Sequence, residues 1–131
     1  MSEILIVDDS PTARQQLRIT LQGNDYTVSE AQDGEEGLRM AKAGSFDLII
    51  ADLNMPKLNG IEMITELRRV PALRDTPIFL LTTEGNPELA QKGKLAGANA
   101  WIVKPFKADI LLGAVAHACT GPHSLVAKRR A

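Results

Sequence analysis

Five short apolar runs, each followed by a longer segment with helical spacing, constrain this chain more than any other feature. The runs are Ile4–Val7, Thr27–Ala31, Leu48–Ala51, Ile78–Thr82 and Trp101–Lys104. Several are apolar on consecutive residues, as expected of strands covered on both faces. The segments after them carry apolar residues at 3.6-type intervals. Ala13, Leu17 and Leu21 mark the first, Leu38 and Ala41 the second, and Ile61, Ile64 and Leu67 the third. Leu89, Gly93 and Ala96 mark a fourth; Ile110, Leu111, Ala114, Val115 and Ala118 mark a fifth. Ser10 before Pro11 and Asn86 before Pro87 read as helix starts, an N-cap followed by proline at the first helical position. Gly23, Gly44, Gly97 and Gly121 read as stops. Strict β–α alternation with crossovers of this length predicts an α/β fold, a doubly wound five-stranded parallel sheet flanked by five helices.

At 131 residues there is room for one such domain with a self-sufficient core. The single cysteine, Cys119, cannot form an internal bridge and is expected to pack on the apolar side of the fifth helix. A net charge of −1 gives no electrostatic footprint for nucleic acid. The apolar runs are only a few residues long, too short to cross a bilayer, and the N-terminus lacks the layout of a secretory signal. A cytoplasmic location without membrane insertion is the expectation.

Ligands of parallel α/β sheets sit at the carboxyl ends of the strands, and there the sequence turns polar. The first run ends in Asp8-Asp9, the third in Asp52, the fourth in Thr82-Thr83 and the fifth in Lys104-Pro105. Any one aspartate after a strand reads as a helix cap or the start of a turn. Three at two strand ends, with a lysine and a hydroxyl, read better as a cluster built around a cation. Hard oxygen ligands select a hard cation, and Mg²⁺ is the expected one. A carboxylate beside Mg²⁺ can act as a nucleophile towards phosphorus. The transferred group then needs charge and donors around its oxygens, which Lys104 and Thr82 can supply.

Other phosphate chemistries fit poorly. A flavin-phosphate loop after the first strand would not open with two acids, and the Gly-rich P-loop pattern is absent. Haloacid-dehalogenase-type phosphatases use an Asp-x-Asp pair, which the adjacent Asp8-Asp9 does not match. His117 and His123 are too few and too badly placed for a zinc site or a histidine-based triad.

Ile6-Val7-Asp8-Asp9-Ser10, Asp52-Leu53-Asn54-Met55-Pro56 with Gly60, Leu81-Thr82-Thr83 and Lys104-Pro105-Phe106 together resemble the receiver domains of two-component response regulators. The likeness runs from Ile4 to about Cys119 and is greatest to the single-domain chemotaxis regulators. It implies the flavodoxin-like strand order 2-1-3-4-5 and a receiver domain over residues 1–121, with 122–131 a short flexible tail. It implies Asp52 as acceptor of a phosphoryl group from a histidine kinase, and Asp8, Asp9, Asp52 and the Asn54 backbone carbonyl around Mg²⁺. Lys104 would pair with phosphoryl oxygens, its bond to Pro105 would be cis, and Thr82 would be a switch hydroxyl. Self-catalysed phosphorylation and dephosphorylation are expected, but no other enzymatic activity. The family's aromatic switch falls on Trp101. A tryptophan there competes with a plainer reading, partly buried packing too bulky to swing. Output is expected through a flagellar-motor or other protein target on the face of the fourth helix, fifth strand and fifth helix, and a phosphatase is a further partner. A phosphate sink or phosphorelay intermediate, or a phosphorylation-independent interaction module, are the alternatives.

Overall fold

A computed structural model of the chain describes residues 2–83 and 85–119. The elements alternate as β1 (Glu3–Val7), α1 (Pro11–Gln22), β2 (Thr27–Ala31), α2 (Gly34–Ala43), β3 (Leu48–Asp52), α3 (Gly60–Leu67), β4 (Ile78–Thr82), α4 (Pro87–Ala96), β5 (Ala100–Val103) and α5 (Ala108–Cys119). A single 3-10 turn, Pro71–Leu73, enters between α3 and β4 and was not foreseen. The five strands are parallel in the order β2-β1-β3-β4-β5, as expected. Gly121 and the tail at 122–131 lie outside the described residues, as does Glu84 of the β4–α4 loop.

Strand side chains alternate between two apolar layers, which is why the runs are apolar throughout. Ile4, Ile6, Leu48, Ile50, Phe79 and Leu81 pack with Leu17 and Leu21 of α1 and Leu111 and Val115 of α5. Leu5, Val7, Ile49, Ala51, Ile78 and Leu80 pack on the other face with Met63, Ile64 and Leu67 of α3. Cys119 is buried in the first layer.

The start signals act as read. The Ser10 hydroxyl accepts from the Ala13 N–H at 3.3 Å, with Pro11 opening α1. Asn86 Oδ1 accepts from the Glu88 N–H at 2.8 Å ahead of α4. Of the glycine stops among the described residues, only Gly97 takes a left-handed φ, +120°. Gly23 stays right-handed helical and Gly44 is extended, so these two end helices without needing glycine's conformational freedom.

Register then fixes where the polar residues emerge. Val7 pairs with Ala51, so Asp8 and Asp52 leave β1 and β3 side by side. Asp52 pairs with Leu81 and Thr82 with Val103, which brings Thr82 and Lys104 to the same edge. β1 and β3 flank the point where strand order reverses, the crevice in which such sheets bind ligands.

Candidate functional site

The carboxyl edge gathers the predicted residues. One carboxylate oxygen from each of Asp8, Asp9 and Asp52 lies within 4.8 Å of the others. Lys104 Nζ bridges two of them, 3.0 Å from Asp8 Oδ2 and 3.3 Å from Asp52 Oδ1. Asp8 is 1% exposed, Asp52 8% and Thr82 0%, whereas Asp9 is open to solvent. Asn54 lies exposed in the loop two residues beyond Asp52. The Lys104–Pro105 peptide bond is cis, as the resemblance implied.

Each acid is held differently. Asp8 uses both oxygens, Oδ1 accepting the Ser10 N–H at 2.9 Å and Oδ2 the Lys104 ammonium. Its backbone carbonyl accepts from Arg14 Nη1. Burial raises the Asp52 carboxyl above its usual range; Lys104 opposes that shift, and the charges of Asp8 and Asp9 add to it. Burial disfavours the Lys104 ammonium, but its hydrogen bond to Asp8 and the two carboxylates together hold it above the usual lysine range. Three carboxylates therefore surround one cation, leaving an excess of negative charge at a partly desolvated edge.

That donor set tests well against the expected metal. All candidate ligands are hard oxygens, and Asp9 keeps one side open to water. Mg²⁺ favours one or two carboxylates with retained waters, which suits this pocket.

Trp101 departs from the strand ends and lies under α4. A Cβ on Gly93 would stand 3.1 Å and 3.2 Å from its ring carbons Cζ3 and Cε3 and 3.0 Å from Leu80 Cδ1. Gly93 thus makes room for the indole, which is half-buried. This placement fits the plainer expectation for Trp101, a ring packed against α4 and the core layer below it. Arg14 is a site residue that sequence reasoning missed. Its one signal was its place a single helical turn beyond the Ser10 cap, which does not say that the side chain turns back to a carbonyl.

Geometry first defines a class: a doubly wound α/β protein with a cluster of three carboxylates where its strand order reverses. Residues 4–116 match the response regulator receiver domain family, and the chain belongs to it. It is 36% identical over 110 residues to the chemotaxis protein CheY of Pseudomonas aeruginosa, covering 83% of this chain and 89% of that one. Among solved structures it resembles CheY4 of Vibrio cholerae, with 43% identity and a TM-score of 0.86 over 90% of this chain and 98% of that one. It also resembles TrrA of Thermotoga maritima, solved with Mg²⁺-BeF, at 35% identity and a TM-score of 0.82 over 90% and 99% of the two chains. Other relatives are longer. The chain spans 13% of a gliding motility regulatory protein of Myxococcus xanthus and 42% of the transcriptional regulatory protein ResD of Bacillus subtilis. Among the described residues no helix is long and apolar enough to cross a membrane.

Proposed function

We propose that this receiver domain takes a phosphoryl group from a histidine kinase onto Asp52 and signals by protein binding, with chemotaxis as its setting. The observation that carries the proposal is Lys104 Nζ lying between Asp8 and Asp52 inside the acid cluster. An Asp52 carboxylate oxygen attacks phosphorus as the phosphorus–nitrogen bond of phosphohistidine breaks, leaving an acyl phosphate and a neutral imidazole after proton uptake. Lys104 is 3.3 Å from that carboxylate and turns its ammonium to the incoming phosphoryl oxygens, keeping Asp8 as its anchor. Asp8, Asp9, Asp52 and the Asn54 carbonyl would hold Mg²⁺, which supplies charge neutralisation for the phosphoryl oxygens. Burial helps to keep water from the acceptor, since Asp52 is almost fully enclosed. An open groove of about 530 Å³ between α1 and the β5–α5 loop, lined by Ala13, Gln16, Thr20, Thr83, Lys104 and Phe106, gives a donor protein its approach.

Phosphorylation adds roughly 1.5 to 2 negative charges at one point. Thr82 ends β4 at that point, and the chain from Thr83 leads through Gly85 and the Asn86 cap into α4. Leu95, Val103 and Ile110 are exposed on α4, β5 and α5, which favours an output partner over a phosphate sink or relay. The acid cluster, with Asp8 and Asp52 buried, argues against a phosphorylation-independent module, because its assembly serves no packing purpose.

The test is to add Mg²⁺ and then acetyl phosphate, reading intact mass and Trp101 fluorescence, with Asp52→Asn alongside. Gain of one phosphoryl group by the parent alone, with a fluorescence change, is expected. No gain from this donor or from a competent histidine kinase would overturn the proposal. Phosphoryl gain without any fluorescence change would keep Asp52 as acceptor and remove Trp101 from the switch.

A further inference from the structure

We infer that Arg14 is a positioning residue for the acid cluster, a role that rests on the reading of this pocket as a Mg²⁺ site. Arg14 extends from the first turn of α1 and is largely buried, its side chain 15% exposed. Nη1 donates to the Asp8 backbone carbonyl, and Nε lies 3.4 Å from Glu30 Oε1 on β2. Glu30 is fixed in turn by Arg18, whose Nη1 donates to its other oxygen at 2.7 Å. The guanidinium is therefore anchored on Glu30, itself held by Arg18, where it reaches Asp8.

That carbonyl belongs to the peptide plane joining Asp8 to Asp9. The Asp8 N–H is already bonded to the Ala31 carbonyl at 3.1 Å, and its side chain to Ser10 and Lys104. The carbonyl bond adds a restraint on the plane from which Asp9 departs. Asp9 is the exposed member of the cluster, so it gains most from a restrained backbone. A long charged side chain suits the task, since the carbonyl takes a single N–H hydrogen bond from it.

Electrostatics and positioning predict opposite signs, which makes the role testable. Arg14 is a cation near a cation site, so by charge alone its removal tightens metal binding. As a positioning residue its removal weakens binding, as loss of partners behind metal ligands commonly does.

The experiment titrates the full chain with Mn²⁺, read as the electron paramagnetic resonance signal of the free ion, and displaces it with Mg²⁺. Variants are Arg14→Ala, Arg14→Lys and Arg18→Ala, with urea midpoints in EDTA as a check on folding. Arg14→Ala is expected to weaken both metals about tenfold. Arg14→Lys keeps a donor and stays within about threefold of the parent. Arg18→Ala touches Glu30 but not Asp8 and is expected to change affinity little. Unchanged or tighter binding in Arg14→Ala overturns the inference, as does equal weakening in Arg18→Ala. Should Arg14→Ala not fold, weakening of more than tenfold in a folded Arg14→Lys overturns it too. If the parent itself binds neither metal, the Mg²⁺ reading falls first, a different failure from a parent that binds and an Arg14→Ala variant that matches it.

Discussion

Both edges of the sheet bury charge, and they treat it in opposite ways. At the amino edge, Arg68 follows α3 and sends its guanidinium into a ring of oxygens. Nη1 donates to the carbonyls of Leu73, Arg74 and Thr76 at 2.8, 3.1 and 2.7 Å. Nη2 donates to the Gly97 carbonyl at 2.7 Å and to Asn99 Oδ1 at 3.0 Å. Asn99 passes the link on by accepting the Ile78 N–H at 2.8 Å. Asp47, buried on the same edge, accepts the Glu3 N–H at 2.9 Å. At the carboxyl edge, three carboxylates share one ammonium. The first arrangement is satisfied by the chain's own groups and acts as scaffold. The second is left in electrostatic excess, and that excess is what a bound cation or a transferred phosphoryl group answers.

The largest expected effect lies on the scaffold side. Arg68→Ala strips the donor from several carbonyls in part-buried positions and frees the start of β4 from the end of α4. A loss of about 3 kcal/mol in urea unfolding is expected, with Mg²⁺ affinity of the folded protein unchanged. If metal affinity fell with stability, the two edges would be coupled and the contrast between scaffold and site would break.

Next comes Cys119, buried near the amino edge at the end of α5. Burial pushes its thiol up from 9.0 to about 11, with a hydrogen bond to Ser2 opposing the shift. The folded state then holds the proton more tightly than the unfolded chain. Stability from this source is whole below pH 9.0 and is lost as pH rises towards about 11. The loss amounts to roughly 2 kcal/mol, read as a falling urea midpoint that Cys119→Ala does not share. A thiol reagent at pH 8 should modify the folded protein far more slowly than the urea-unfolded chain. Rapid modification would mean that this edge opens readily.

How far the sequence announced these two edges differs for a physical reason. Covered strands need apolar residues on both faces, so runs such as Leu48–Ala51 and Ile78–Thr82 were visible as composition. Strand-end acids stood out because Asp8, Asp9 and Asp52 break those runs abruptly. Strand limits moved slightly because hydrogen bonding, not hydropathy, decides them. β3 includes Asp52, with the Leu53 N–H bonded to the Leu81 carbonyl at 3.0 Å. β5 starts at Ala100 because its register with Phe79 begins there. The Arg68 fork and the Arg14 contact were illegible. Each is a long side chain meeting backbone carbonyls, and any residue can supply a carbonyl. The Arg68 partners also lie up to 31 residues away in sequence. The Pro71–Leu73 turn hid for a related reason, since a proline flags a break but leaves open which conformation the chain takes next.

The smallest expected effect probes the excess charge itself. Burial raises the Asp52 carboxyl, so without metal the folded protein carries a destabilised negative charge at neutral pH. For a raised carboxyl the folded state binds the proton more tightly than the unfolded chain. Its stability contribution therefore falls as pH rises from the unfolded value through the folded one. Asp52→Asn removes this charge and leaves Lys104 its 3.0 Å bond to Asp8. In EDTA at pH 7 the variant should gain about 1 kcal/mol, a rise of a few degrees in Tm. The gain should vanish near pH 3, where the parent's acid is protonated in both states. Saturating Mg²⁺ should reverse the order, because only the parent keeps the full acid set and is stabilised by mass action. An Asp52→Asn variant less stable than the parent in EDTA would mean that the Lys104–Asp52 ion pair outweighs burial. The carboxyl edge would then be closed by the chain's own groups, like the amino edge.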